Sequence, residues 1–161
     1  MRADEGLAYR AVRLRALELE PAAYGQTLAE ALADPEPLWH DLAASVAGDG
    51  PRAMFVIDGG DGVLVGTLYA AVSDVPPHFA LLGAMWVDPE LRAQGWADAL
   101  LDTVQAWATR WGAPGLTLWV SSGNERAWQF YARHGFQPTG GIERWEGGEA
   151  MELYCPVDLP P

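Results

Sequence analysis

The sequence contains no lysine and only one cysteine, and each shortage excludes a class of protein. All ten basic residues are arginines, against 22 acidic residues, so the formal net charge of the 161-residue chain is −12. A nucleic-acid binder needs a clustered positive surface against the phosphates, and this balance argues against one. The single cysteine, Cys155, excludes an internal disulfide and a cysteine-cluster zinc site. An acidic surface would instead attract cationic small molecules.

Long apolar segments are also missing. No run approaches the ~18 residues of a membrane span, and residues 1–5 are too polar for a signal peptide. We therefore expect a cytoplasmic protein that binds no membrane. Half of the residues are hydrophobic, and no repeat or linker divides the chain, so we expect a single domain over residues 1–161.

Hydrophobic periodicity predicts the order of the secondary-structure elements. Apolar positions three or four residues apart indicate helices, which we place at about 5–19, 27–46 (broken near residues 34–37), 95–111 and 124–134. Strand-like runs are rich in β-branched and aromatic residues, and we place them at 53–57, 63–69, 79–87 and 116–120, with two more in 136–157. The run 79–87 is apolar enough to be covered on both faces. This order favours a mixed α/β (α+β) fold over a doubly wound parallel sheet.

The most informative segment is 86–101, where a buried strand ends and a turn leads into a long amphipathic helix. Free backbone N–H groups around Gly95, with the positive end of the helix dipole, suit a pyrophosphate. Gly95 lets a ligand approach the backbone, Ala97 leaves the next turn without bulk, and Arg92 adds a positive charge. A strand–turn–helix connection needs a glycine in any case, so this segment alone supports both interpretations equally.

Two motifs stand close together in the sequence: Val-x-Pro-x-x-Arg-x-x-Gly-x-Ala over 87–97, and a strand–Asn–helix–Tyr-x-x-x-Gly-Phe segment over 118–136. Together they resemble the GNAT superfamily of N-acetyltransferases, in which the first motif is the acetyl-CoA signature. The resemblance covers residues 54–139 well. It implies a mostly antiparallel sheet of about six strands, flanked by about four helices and splayed between the strands that end at Val87 and Val120. The family's first strand would be short or absent.

The resemblance also implies a site for acetyl-CoA as cosubstrate. The pantetheine arm would pair with the strand backbone at Met85, Trp86 and Val87. The pyrophosphate loop would be formed by seven consecutive residues, Arg92, Ala93, Gln94, Gly95, Trp96, Ala97 and Asp98. Asn124 would hydrogen-bond the cofactor, or else serve only as a helix N-cap. Tyr131 would be the general acid beside the thioester sulfur, or else an ordinary core aromatic.

The implied reaction is direct attack of a primary amine, on a small molecule or peptide, at the thioester of acetyl-CoA. Backbone N–H groups on the strand 85–87 would polarise the thioester carbonyl. The alternative is an acyl-CoA-binding sensor or partner module with weak or no turnover; the missing general base favours it and Tyr131 disfavours it. Asp74, His78 or a chain of waters are the candidate bases. No metal site is expected, because the three histidines lack partners at ligand spacing. The sequence does not decide between a monomer and a homodimer.

The acceptor is indicated only by charge. Positive potential must be confined to the CoA cleft, where three arginines are candidates, Arg92, Arg126 and Arg133. Acids expected on the acceptor side are Glu30, Asp34 and Asp74, and the tryptophans that could line its pocket are Trp39, Trp96 and Trp145. A cationic amine would be steered there, although acidity that only keeps the protein soluble is equally consistent. Three positions depart from the family pattern. Ala93 stands where many members carry glycine, Asp98 puts a negative charge in the first helical turn, and Trp119 stands where some members carry a glutamate.

Overall fold

The computed structural model describes residues 1–145 and 148–158. The helices are α1 Gly6–Leu19, α2 Leu28–Ala33, α3 Glu36–Val46, α4 Trp96–Arg110 and α5 Glu125–Arg133. The strands are β1 Arg52–Asp58, β2 Leu64–Val72, β3 Ala80–Val87, β4 Gly115–Ser121, β5 Gln137–Trp145 and β6 Gly148–Pro156. Short 3-10 turns lie at Pro21–Ala23 and Pro89–Leu91. None of these helices has both the length and the apolar character that a membrane crossing requires.

The six strands form one sheet in the order β1-β2-β3-β4-β6-β5. Every neighbouring pair is antiparallel except β3 and β4, which run parallel. This confirms the predicted mixed, mostly antiparallel six-stranded sheet, and in the described residues no strand precedes α1. Residues 1–145 and 148–158 contain five helices rather than about four, because Pro35 caps α3 and separates it from α2, as the predicted break implies.

The parallel strands separate soon after they meet. β3 pairs with β4 only over three residues on each strand, Ala80 with Leu116 through Leu82 with Leu118. Beyond that point β3 carries a bulge opposite β2, where the register shifts and Ala84 adopts a positive φ of 50°. A bulge bends and twists its strand. It therefore contributes to the divergence of the two strands, and the predicted splay is confirmed.

Helices cover the two faces of the sheet with separate cores. α4 and α5 pack on one face, where the core includes Leu101, Val104 and Phe136. α1, α2 and α3 build a second core on the other face, over β1 to β3, and Trp39 is buried there at 4% exposure. The prediction that β3 is covered on both faces is wrong at Leu81, which is 42% exposed. The helices of the second core contact β1 and β2 rather than the β4 side of the sheet.

Candidate active site

The diverging ends of β3 and β4 border a cavity of about 310 Å³. One wall is 82–87 on β3, and the opposite wall is 118–121 on β4. The turn before α4, the first residues of α4 and the length of α5 form one end, while Glu20, Ala23 and Tyr24 close another side. Segments far apart in the sequence therefore meet in one cleft.

The beginning of α4 has the features of an anion site. Gly95 is its N-cap with a φ of 83°, and it offers no side chain to the N–H groups of the first turn. Ala93 also has a positive φ, of 60°. The uncapped N–H groups and the helix dipole are therefore available to a negatively charged ligand. Five of the seven predicted loop residues line the cavity, and Gln94 and Trp96 do not. The Gln94 amide instead donates to Glu90 O at 3.0 Å, and Trp96 is 43% exposed.

Arg92 reaches back along the cleft instead of out to solvent. Its Nε donates to Val87 O at 3.0 Å, and its Nη2 lies 2.9 Å from Glu20 Oε1. The second contact is an ion pair whose alignment is too poor for a directed hydrogen bond. Glu20 also pairs with Arg126 at the start of α5, at 2.5 Å. Glu20, which follows the last residue of α1, thus links the C-terminus of that helix to both sides of the cleft.

Charge in the cleft differs in sign from charge in the whole chain. The charged residues that line the cavity are three cations and two anions: Arg92, Arg126, Arg133, Glu20 and Asp98. The Asp98 carboxylate is 2.9 Å from His134 Nε2 and 3.7 Å from Arg133 Nη2, so it is directed toward α5. The lining therefore sums to +1, from three minus two, although the chain carries −12. All three arginines predicted for the cleft lie in its wall.

Tyr131 lies at the meeting point of α5 and β3. Its ring packs edge-on against Phe130 and Phe136, and only 7% of the residue is exposed. Its hydroxyl donates to the sulfur of Met85 at 3.0 Å. Burial raises the pKa of Tyr131 above its ordinary value of about 10. The phenol is therefore protonated at neutral pH and can act as a proton donor.

Asn124 is the N-cap of α5, which is one of the two roles expected for it from the sequence. Its side-chain oxygen accepts from Ala127 N at 3.1 Å. Asn124 also lines the cavity. Because the oxygen is used by the cap, the side-chain NH₂ group is the part of Asn124 that can serve a ligand.

The edge of β3 that faces the cleft is partly occupied by side chains of this chain. The Tyr24 hydroxyl donates a hydrogen bond to Met85 O at 3.4 Å, and the Arg92 Nε donates one to Val87 O. Tyr24 is held by Arg13, whose guanidinium lies 4.4 Å from the ring centroid. Sequence reasoning missed both Tyr24 and Glu20. Their contacts are long-range, and no motif surrounds either residue.

The candidate bases and acceptor residues do not gather at this cleft. Asp74 and His78 lie in the β2–β3 connection, beyond Ala80 at the far end of β3, and neither lines the cavity. The five residue-to-residue steps from Ala80 to Met85 span ~17 Å of extended strand. Glu30 closes a capping box with Thr27 on α2, and Asp34 accepts from Gln26 at 3.0 Å. The side chain of Trp145 lies outside the described residues.

Comparison with known proteins agrees with this architecture. Residues 14–136, more than half of the chain, match the acetyltransferase (GNAT) family. An uncharacterised N-acetyltransferase from Mycobacterium bovis is 34% identical over 90 residues, which are 56% of this chain and 56% of that protein. The chain thus aligns with only about half the length of this curated relative.

Solved structures share the fold. A nourseothricin acetyltransferase matches with a TM-score of 0.61 and 27% identity, covering 68% of each chain. A GNAT acetyltransferase from Streptococcus pneumoniae matches with a TM-score of 0.79 and 14% identity, covering 98% of this chain and 96% of that one. The PaiA N-acetyltransferase from Thermoplasma acidophilum was solved in complex with coenzyme A. It matches with a TM-score of 0.75 and 14% identity, covering 97% of this chain and 95% of that one. With the family match over residues 14–136, the chain belongs to the GNAT family of acetyltransferases.

Proposed function

We propose that the protein transfers an acetyl group from acetyl-CoA to a primary amine of a small molecule or peptide. One observation carries the proposal: residues 85–87 of β3, which lie beyond the pairing with β4, the uncapped start of α4 and Tyr131 all line one cavity. The fold neighbour from Thermoplasma acidophilum is a coenzyme A complex, which supports the same class of ligand here.

In this proposal the pantetheine arm lies along residues 85–87 of β3, and the pyrophosphate sits on the α4 N-terminus. The N–H groups that follow Gly95 bind the phosphate oxygens, and the net positive lining of the cleft adds attraction. Asn124 contributes its side-chain NH₂ group from the β4 side. The cosubstrate therefore occupies the gap that β4 leaves when it diverges from β3.

The chemistry needs no protein nucleophile. The amine nitrogen forms a bond to the thioester carbonyl carbon, the carbon–sulfur bond breaks, and the electron pair leaves on the CoA sulfur. Tyr131 gives its proton to that thiolate and recovers one from solvent. Its hydroxyl already donates to a sulfur, the thioether of Met85, and a thiolate is a stronger acceptor. The protein contributes mainly by positioning the two reactants.

The amine loses its proton through water in this scheme. The carboxylates in the cavity lining are Glu20, paired with two arginines, and Asp98, which faces α5. Neither is placed as a free base, and Asp74 and His78 lie at the other end of β3. A water route makes the rate depend on the fraction of neutral amine, so kcat/KM should rise with pH toward the pKa of the acceptor.

Release of free thiol from acetyl-CoA tests the proposal against its alternative, a module that binds acyl-CoA without turnover. We expect a panel of cationic and neutral primary amines to contain at least one that raises thiol release clearly above the blank. The alternative is favoured by the absence of a side-chain base in the lining. Tight binding of acetyl-CoA with no thiol release across the panel would establish the binding module and refute the transferase.

A further inference from the structure

Thr67 is a buried polar residue that the reaction described above does not use. It lies on β2 at 4% exposure, and its hydroxyl donates to Ala84 O at 2.7 Å. In the β2–β3 register Thr67 lies opposite Trp86, whereas Ala84 lies in the bulge between Trp86 and Gly83. At the bulge the β2–β3 pairing gives the Ala84 carbonyl no backbone N–H, and the Thr67 hydroxyl donates to it instead.

The orientation of one peptide group follows from this bond. In a planar trans peptide the C=O and N–H point in opposite directions. Since the carbonyl of Ala84 points to Thr67 on β2, the N–H of Met85 points away from β2. That side is the cleft, because the pairing of β3 with β4 ends at Leu82. The Met85 N–H is therefore a donor that faces the cavity, and the strand pairing within the described residues gives it no partner.

The same bond affects how well this N–H can donate. A hydrogen bond accepted by a carbonyl polarises its amide, so the N–H at the other end becomes a stronger donor. Ala84 is also held at a φ of 50°, in the left-handed region that a residue with a β-carbon disfavours. Such a conformation persists only where its surroundings hold it in place. The Thr67 hydroxyl is a contact that does so.

We propose that Thr67 is a positioning residue, which directs and polarises the Met85 N–H toward the carbonyl oxygen of the bound thioester. Negative charge develops on that oxygen as the amine attacks, and a preoriented N–H stabilises it. Thr67 itself touches neither substrate, because its hydroxyl lies on the β2 side of the peptide. This inference rests on the proposed transferase function.

Two substitutions at Thr67 separate the hydroxyl from the shape of the side chain. Thr67→Val keeps the branched shape and removes the donor, whereas Thr67→Ser keeps the donor. Loss of a whole oxyanion donor costs ~10²–10³ in kcat. Since Met85 N–H is weakened and misaligned in Thr67→Val rather than removed, we expect a loss of about tenfold, with the KM for acetyl-CoA within about twofold. Thr67→Ser should retain most of the activity.

Thr103→Val is the matched control for losing a threonine-to-backbone bond. The Thr103 hydroxyl also donates at 2.7 Å, to Ala99 O on the exposed side of α4. We expect it to leave kcat unchanged. Equal kcat in Thr67→Val and Thr67→Ser, or a loss in Thr67→Val that appears only in KM, would overturn the positioning role.

A second readout does not depend on turnover. Labelling with ¹³C-carbonyl alanine and ¹⁵N methionine gives cross-peaks from three Ala–Met peptides only, those of Met54, Met85 and Met151. In Thr67→Val the Met85 peak should move while the other two stay, and Thr67→Ser should restore it. An unmoved Met85 peak would refute the inference. Absence of transfer by the wild type would refute the proposed function instead, and the peak would still report on the Thr67 bond.

Discussion

At the scale of single residues, burial determines the chemistry of Tyr131. Aromatic neighbours on both sides remove its ring from water, and the hydroxyl is left facing sulfur at the cavity wall. Because burial disfavours the phenolate, the raised pKa keeps the proton on the oxygen. A proton donor is what a departing thiolate needs.

Tyr131→Phe tests this role. The ring and its packing remain, but the proton donor is gone, so kcat should fall by roughly 10²–10⁴ with little change in acetyl-CoA affinity. Since the pKa of Tyr131 lies above its ordinary value, the ratio of wild-type to variant kcat should be constant from pH 6 to 9. An unchanged kcat across that range would show that water or another group protonates the thiolate.

Ala93 gives a prediction about stability. Its φ of 60° lies in the left-handed region, which a β-carbon disfavours by about 1–2 kcal/mol. Glycine removes this cost but adds freedom to the unfolded chain, worth about 0.4–1 kcal/mol. Ala93→Gly should therefore raise the free energy of unfolding by up to about 1.5 kcal/mol in a urea titration. Ala99→Gly on α4 is the control, and it should lower that free energy. A loss of stability in Ala93→Gly would contradict this account.

Some of these residues could be predicted from the sequence and others could not. Asn124 and Tyr131 lie at fixed spacing within one strand–helix segment, so a local pattern identifies them. Thr67, Glu20 and Tyr24 act through contacts with distant parts of the chain, and nothing in their immediate neighbours signals it. Candidate bases chosen by residue type, Asp74 and His78, fell at the wrong end of β3 for the same reason.

At the scale of elements, periodicity predicted almost every helix and strand within a few residues. Apolar spacing and the breaks at proline and glycine are local properties, and they fix where α1, α4 and β2 begin and end. The bulge in β3 was not predicted, because it depends on the register between two strands rather than on one of them. The divergence of β3 and β4 was predicted from the family resemblance and not from the pattern of residues.

Residues 20–24 connect α1 to α2 and lie along the cleft. Glu20 pairs with Arg92 and Arg126, and Tyr24 bonds to Met85 O, so these contacts fasten the segment to both sides of the cavity. The Glu20 carboxylate also neutralises cations that would otherwise attract phosphate. If acetyl-CoA binds in this cleft as proposed, the segment would affect both the cosubstrate and the acceptor that binds beside it.

Glu20→Gln should separate these two effects. Removing the negative charge leaves Arg92 and Arg126 less neutralised, so acetyl-CoA should bind about two- to tenfold more tightly by calorimetry. The segment loses its ion pairs, so the KM for the amine should rise. Glu18→Gln is the control, since Glu18 is exposed on α1. Weaker binding of acetyl-CoA to Glu20→Gln would mean that Glu20 supports the cosubstrate site instead.

At the scale of the whole molecule, charge is separated between the cleft and the rest of the chain. The cavity lining sums to +1 within a chain of −12, so the remaining charges sum to −13. Under the proposed function, the cleft would attract an anionic cosubstrate, while the surrounding field would attract a cationic acceptor. None of the acids proposed for steering, Glu30, Asp34 and Asp74, lines the cavity, so any steering by them would be long-range.

Salt dependence distinguishes steering from mere solubility. The Debye length falls from about 10 Å at 0.1 M salt to about 3 Å at 1 M. We therefore expect kcat/KM for a cationic amine to fall with added salt more steeply than for a neutral amine of similar shape. The same salt response for both amines would show that the charge balance does not select the acceptor.

Calorimetric titration of acetyl-CoA into Gly95→Glu tests the central claim, that the cosubstrate occupies the cleft with its pyrophosphate on α4. Gly95 has a φ of 83°, and Gly112, just beyond the other end of α4, has a φ of 65°; a β-carbon at either position meets open space. Gly112→Glu thus carries the same new charge and similar backbone strain away from the cleft. We predict that Gly95→Glu loses binding while Gly112→Glu keeps the wild-type affinity. Wild-type affinity in Gly95→Glu, or equal losses in both variants, would contradict the assignment.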